Sequence, residues 1–212
     1  QGLRGGRGPA GTAGDHQRVR RAALSDALTW RSELGRLRDV IGLGVEWNAL
    51  RHWPVPTHVR LAEGGSLTEL VRVLAAGMVV GAPLTISTGE LLPPAVAAFL
   101  SDQAVAVSLE RDDAWLTRIA VASAGEHLLR GAEAERVRLI GGDPVRAAEW
   151  LGGQDRVPLW ADPVTMAGPV ELLAFLREQS ISAVAHRHGL APPLDGLEEW
   201  ATELDARVVL DR

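Results

Sequence analysis

The sequence predicts an α/β fold, a doubly wound and mostly parallel sheet preceded by a helical segment. Three observations predict it. From Thr57 onward, short strand-like runs alternate with helical patterns about six times. The joints between them are short and marked by Gly, Pro or a capping residue, which is the pattern of βαβ units. The chain has 212 residues, of which 46% are hydrophobic and 23% charged. That is enough chain, of globular composition, to bury one core.

The elements follow in order. Residues 1–15 carry Gly2, Gly5, Gly6, Gly8, Gly11 and Gly14 and read as linker. Residues 16–56 are expected to hold an N-terminal helix and a connector. Leu24, Ala27, Leu28, Leu34, Leu37 and Ile41 recur at helical spacing over 17–41, and Gly42 and Gly44 would end that helix. The connector from Glu46 to Pro56 is rich in Arg, His, Pro and Trp.

Residues 57–212 make the α/β domain. His58 to Leu61 alternates as a strand, and Ser66-Leu67-Thr68-Glu69 is a capping box for a helix to about Val80. Leu84 to Ser87 is a strand, and Pro93-Pro94 opens a helix through Asp102. A strand is expected from Ala104 to Leu109, then a helix capped by Asp112 and running to Ala122. Val137 to Ile140 is the next strand, and Asp143-Pro144 opens a helix to Leu151. Val157 to Trp160 is a strand, Gly168-Pro169 leads a helix to Arg177, and Ile181 to His186 is a last strand of the same sheet. Residues 196–206 suit a further helix and Val208 to Leu210 a terminal strand.

Absent residue types narrow the chemistry. There is no Cys, Tyr or Lys, and every basic residue other than the six His is Arg. Thiol nucleophiles, thiolate metal sites, Schiff-base lysines and P-loop lysines are therefore excluded. The net charge of −5 disfavours a nucleic-acid partner, and no apolar run reaches the ~18 residues of a membrane span. The chain opens on Gln1 without a signal-like pattern, as expected for a processed chain or a piece of a longer one.

Each candidate site has a plainer reading. Gly42-Leu43-Gly44-Val45-Glu46-Trp47 lacks the third glycine of a dinucleotide fingerprint and follows a helix. Gly141 and Gly142 stand between a strand and a helix and are the weak candidates for a cofactor turn. Asp143 is expected to cap that helix and so repel an anion. His186 and His188 would share a strand face, yet no third metal ligand is visible. Asp112-Asp113 and Glu198-Glu199 are neighbours that point apart on a helix. Ser87, near Gly89, has no nucleophile-elbow context. Seven Trp stand against two Phe. Trp30, Trp115, Trp150 and Trp200 read as core or interface, whereas Trp47 and Trp53 in the connector suit a docking surface. Read from the residues alone, the chain has no visible active site.

Two stretches carry a resemblance. One runs from Arg38 through Gly42-Leu43-Gly44-Val45-Glu46-Trp47 to Pro56. The other runs from Glu171 through Arg177-Glu178-Gln179-Ser180-Ile181-Ser182-Ala183-Val184-Ala185-His186-Arg187-His188-Gly189. Both resemble the C-terminal region of long-chain proline utilization A-type proteins, which carry a glutamate-semialdehyde (1-pyrroline-5-carboxylate) dehydrogenase module. The likeness spans roughly residues 20–190, and the second stretch is the more specific. Leu74-Ala75-Ala76-Gly77, the strand at Leu84 to Ser87, Gly89-Glu90 and Pro93-Pro94 resemble a worn aldehyde dehydrogenase cofactor-domain segment. In that superfamily the strand ends in Lys-Pro-Ser-Glu. Here Thr85-Ile86-Ser87 has no lysine for the ribose, and the catalytic Cys is missing from the chain.

The resemblance implies a Rossmann-like, non-catalytic copy of the aldehyde dehydrogenase fold, set in a cytoplasmic protein. It implies a lid that packs on the catalytic dehydrogenase module of the same parent chain and helps enclose a substrate-channelling cavity. It also implies that NAD, and FAD where a proline dehydrogenase module is present, bind in the parent outside this chain. The interface motif would comprise Arg177, Glu178, Gln179, Ser180, Ile181, Ser182, His186, Arg187, His188 and Gly189. A strand bounded by charged residues suits β-augmentation. No catalytic residue and no metal ligand is assigned, and self-association of the isolated chain is compatible with such a surface. The alternative reading is a dinucleotide-binding module with a residual site at Gly141-Gly142.

Overall fold

The computed structural model describes residues 13–39, 41, 46–124, 134–153 and 157–184. Helix α1 (Ala13–Thr29) runs into a π-helical turn, Trp30–Leu34. A short strand β1 (Arg38–Asp39) and the long strand β2 (Glu46–Pro54) follow. Next come β3 (Thr57–Leu61), α2 (Leu67–Val79), β4 (Leu84–Thr88), α3 (Pro94–Asp102) and β5 (Ala106–Leu109). The second half adds α4 (Asp112–Ala124), β6 (Arg136–Ile140), α5 (Pro144–Trp150) and β7 (Leu159–Trp160). It ends with α6 (Gly168–Glu171), a 3₁₀ turn Leu172–Phe175 and β8 (Leu176–Val184).

Five strands form one parallel sheet in the order β5-β4-β3-β6-β7. Counted along this sheet, the order is 3-2-1-4-5, the doubly wound Rossmann arrangement. Val59, Leu61, Ile86 and Ile140 face a core shared with α2, α3 and the segment Leu172–Leu176. Val137 and Leu139 face the opposite core, built with Trp115, Leu116 and Ile119 of α4 and Ala147 and Leu151 at α5. The expected α/β class is therefore the observed one, and each face is covered by the helices its crossovers supply.

Local signals explain the helix starts. The Ser66 side chain accepts the Glu69 amide at 3.4 Å, and Asp143 Oδ1 accepts the amides of Val145 and Arg146 at 3.0 and 3.1 Å. Pro93-Pro94 and Pro144 open their helices at positions where no backbone donor is missed.

The first helix ends earlier than its periodicity predicts. The Gly35 amide donates to the Trp30 carbonyl at 2.8 Å, and a Cβ at Gly35 would lie 2.6 Å from that oxygen. The chain thus turns off the helix at Gly35, well before Gly42. Helix α1 is fixed to the α/β body by a fully buried bidentate pair, Arg72 with Asp26, at 2.6 and 2.9 Å. Burial outweighs the opposing pull of Arg72 and holds the Asp26 carboxyl above its usual range.

Three expectations are corrected, two near the end of the chain and one in the connector Glu46 to Pro56. The helix expected from Gly168 to Arg177 is one turn followed by a 3₁₀ turn, because Leu172, Ala174, Phe175 and Leu176 are all buried as a plug in the first core. The strand expected from Ile181 to His186 begins instead at Leu176 and leaves the parallel sheet. The supposed connector Glu46 to Pro56 is largely strand β2, and β8 pairs with it antiparallel. The calls at 1–12, 185–189, 196–206 and 208–210 lie outside the described residues.

Beneath α4 lies a buried polar layer. The indole of Trp115 donates to His58 Nε2 at 3.3 Å, so that nitrogen carries a lone pair. His58 Nδ1 then holds the proton and donates to Thr85 Oγ1 at 2.9 Å. Burial, followed by the Arg118 charge, pulls the His58 pKa down to about 4. Beside it, the fully buried Arg60 bonds Asp112 Oδ1 at 2.6 Å and the Glu110 carbonyl at 3.1 Å.

Candidate interaction site

The second sheet contains β1-β2-β8 and places most of the sequence-predicted motif on one ribbon. Strand β2 is central. It pairs β1 through Arg38↔Leu50 and β8 over nine residue pairs, from Glu46↔Val184 to Pro54↔Leu176. Among the described residues no strand pairs with the outer edge of β8. Pleating then sorts the motif onto two faces. Arg177, Gln179 and Ile181 share one face with Ala49, Arg51 and Trp53. Glu178, Ser180 and Ser182 share the other with Asn48, Leu50 and His52.

Gln179 is the organising residue of the first face. Its Oε1 accepts both the Arg51 Nε–H, at 2.7 Å, and the Trp53 indole N–H, at 2.8 Å. The Arg51 guanidinium stacks 4.4 Å from the centre of the Trp53 ring. Trp53 remains 38% exposed, so a rigidly held aromatic stands at the surface. On the other face, Ser182 Oγ donates to Asn48 Oδ1 at 2.8 Å, and Asn48 Nδ2 donates to Glu46 at 3.0 Å. His52 Nε2 lies 4.0 Å from Glu178 Oε2.

The root of the ribbon is held as firmly. Arg136 Nη1 donates to the carbonyls of Leu173, Ala174 and Leu176 at 3.0–3.3 Å. Arg177 pairs with Glu135. The strand therefore leaves the body through a joint closed by two arginines.

The cofactor region of a Rossmann fold is the crevice at the carboxyl ends of β3 and β6, where the strand order reverses. Gly141 and Gly142 lie there with φ of +71° and +73°, and Gly64, in the turn after β3, has φ of +73°. The turns close on each other. A Cβ at Gly142 would meet Ala62 Cβ at 2.9 Å, and one at Gly65 would lie 3.2 Å from the Ile140 carbonyl. The amides a pyrophosphate would use already have acidic partners. Glu90 accepts the Gly64 amide, Asp112 the Glu63 amide, and Asp143 the first amides of α5. The space left, lined by Ala62, Asp112, Trp115, Gly142, Asp143 and Arg146, is about 70 Å³. Mononucleotide-sized ligands need several times that, so the residues present do not fit NAD.

The remaining candidates separate. Ser87 is buried against His58 and Arg60, away from any opening. Asp113 pairs with Arg146 at the surface, whereas its neighbour Asp112 turns inward to Arg60. Trp115 is core and Trp150 is 39% exposed. His186, Arg187, His188 and Gly189 lie outside the described residues. Among the described residues no cluster of three metal-ligating side chains occurs, and no helix is long and apolar enough to cross a membrane. The sequence reading missed Arg51 and the pairing of its strand. The available signal was the i, i+2 spacing of Arg51 and Trp53.

No family profile and no curated protein sequence matches the chain. Among solved structures, it is similar to proline utilization A from Corynebacterium freiburgense, with a TM-score of 0.49 and 22% identity over 87% of this chain and 16% of that one. It is also similar to histidinol dehydrogenase from Elizabethkingia anophelis, with a TM-score of 0.48 and 12% identity over 70% of this chain and 35% of that one. The chain thus spans less than two-thirds of the length of either.

Proposed function

We propose that this chain is a non-catalytic lid and interaction domain of a larger protein, an NAD-dependent glutamate-semialdehyde (1-pyrroline-5-carboxylate) dehydrogenase of proline catabolism. In this reading the β2–β8 ribbon docks on the catalytic module and helps enclose its channelling cavity. NAD, and FAD in a proline dehydrogenase module, bind elsewhere in the parent. The observation that carries the reading is β8 itself. The stretch Arg177 to Ser182, which resembles the family motif, lies on a strand that is an edge among the described residues, with Gln179 and Ser182 already fixed across the ribbon. An edge strand with pre-set polar partners suits sheet extension by a neighbour. The acidic closure of the β3/β6 crevice supports a covering role over a dinucleotide-binding one.

The test adds this chain to a glutamate-semialdehyde dehydrogenase module that lacks its own C-terminal domain. The expected result is saturable association and faster semialdehyde oxidation, both weakened by Gln179→Ala. Unchanged activity with both proteins folded would sink the lid reading. Saturable NAD binding by this chain alone, below about 1 mM, would favour the alternative module at Gly141-Gly142.

A further inference from the structure

Helix α1 packs on α2 along a seam that opens at one end. Its body-facing stripe runs Asp15, Val19, Ala22, Asp26 and Thr29, at alternating helical spacings. Ala22, Asp26 and Thr29 are buried, and Asp26 grips Arg72 of α2. Nearer the N-terminus, Val19 is only half-buried. Between it and the first turns of α2 and α3 lies a cavity of about 460 Å³.

Two contacts set where α1 lies, and both fall on its C-terminal half. One is the buried Arg72–Asp26 pair. The other is Gly168, whose amide bonds Ser25 Oγ at 3.0 Å and where a Cβ would lie 2.6 Å from the Ser25 carbonyl oxygen. Neither contact draws Val19 down onto α2. The cavity is therefore built into the fold and does not have to be opened by a ligand.

The walls are aliphatic: Val19 of α1, Leu67 and Val71 of α2, and Pro93, Ala95 and Val96 at α3. Leu67 and Val96 also rest on the first core. The lining has no aromatic ring against which a planar ligand could stack. Its cations stand at one side. His16 and Arg20 line both the cavity and an adjoining groove, which continues over Gln17, Arg21 and Leu24. Among the described residues Arg20 and Arg21 make no ion pair. Asp15, the acid of the lining, is already engaged in a contact of its own.

An aliphatic space of this size that opens onto unneutralised cations has the make-up of a small-molecule site, apolar with a few placed charges. It lies on the α2/α3 side of the parallel sheet, whereas the small acidic crevice is lined by Trp115 of α4 and Arg146 of α5. We propose that it binds a single-chain aliphatic anion, a free fatty carboxylate. The chain lies among Val19, Leu67, Val71 and Val96, and the carboxylate meets Arg20 and Arg21. This inference does not depend on the lid reading.

The experiment is calorimetric titration of the whole chain with decanoate, with decanol, which has the chain without the charge, and with acetate, which has the charge without the chain. Decanoate is expected to bind saturably at one site below about 1 mM, and acetate not to bind. The reversal R20E/R21E should weaken decanoate by about tenfold, the loss of charge-assisted bonds, and leave decanol unchanged. Val71→Phe, or Val19→Phe from the other wall, should fill the cavity and abolish both, with thermal melts showing each variant folded. No saturable decanoate binding would overturn the proposal. So would binding that a folded Val71→Phe or Val19→Phe chain retains, or acetate binding as tight as decanoate. Pelleting with phosphatidylglycerol vesicles without decanoate binding would assign the groove to a lipid surface and overturn the free-ligand assignment.

Discussion

Glu63 and Asp112 cap each other's turns. The Glu63 amide donates to the Asp112 carboxylate at 3.2 Å, and the Asp112 amide donates to Glu63 Oε2 at 3.2 Å. Two carboxylates this close persist because cations neutralise them. Arg60 lies 2.6 Å from Asp112, and Arg111 lies 3.5 Å from Glu63. The pair ties the turn after β3 to the start of α4, across the mouth of the crevice where a Rossmann fold receives its cofactor.

The two halves of this pair are not equivalent. Asp112→Ala strands the fully buried Arg60 without its anion, and the expected loss is about 3 kcal/mol. Glu63→Ala removes an exposed ion pair and a cap, and the expected loss is under about 1 kcal/mol. Urea denaturation at equal m-values measures both. Equal losses would mean that Arg60 is satisfied by the Glu110 carbonyl alone.

The buried imidazole makes stability depend on pH. His58 titrates near 4 in the folded protein and near 6.5 unfolded. Between those values the unfolded chain binds the extra proton, so stability is full above about 6.5 and falls as the pH drops toward 4. At about 1.4 kcal/mol per pH unit the total is about 3 kcal/mol. Denaturation midpoints taken from pH 7.5 to 4 should show this slope, and His58→Gln should flatten it. An unaltered slope in the variant would assign it to other groups.

The Arg72–Asp26 pair gives a third expectation. Asp26→Asn leaves an unneutralised guanidinium at a fully buried site and should cost about 3–5 kcal/mol. Replacing both partners, Asp26→Leu with Arg72→Met, should recover most of that loss. Thermal melts of the three chains decide it. A double variant as weak as the single one would show that the Arg72 bond to the Thr165 carbonyl, at 2.9 Å, carries the site.

What the sequence made legible was local. Ser66, Pro93-Pro94 and Asp143-Pro144 act on amides within three residues of themselves, so their helices could be read directly. The pairing of β2 with β8 joins residues about 130 positions apart, and no local pattern encodes it. The strand β2 was hidden by Arg51, His52 and Pro54, which resemble loop residues in isolation. The plug Leu172–Leu176 was read as helix because an apolar run does not distinguish a helix from a buried turn. Arg60, Arg72 and Arg138 were illegible as interior groups, since each is tolerated only through a partner distant in sequence: Asp112, Asp26 and Glu171. The motif at Arg177 to Ser182 was visible, but the face each residue presents was not, because that depends on register.

Arg136 gives the ribbon a mechanical character. With three carbonyls of the Leu173–Leu176 turn on one guanidinium, the arm is set at its angle before any neighbour arrives. A flexible arm would surrender its freedom at the moment of contact and weaken the complex accordingly. Here that ordering happens once, during folding. A surface that meets β8 encounters a pre-aimed blade, so the fit is decided by geometry at the tip and barely by entropy at the hinge.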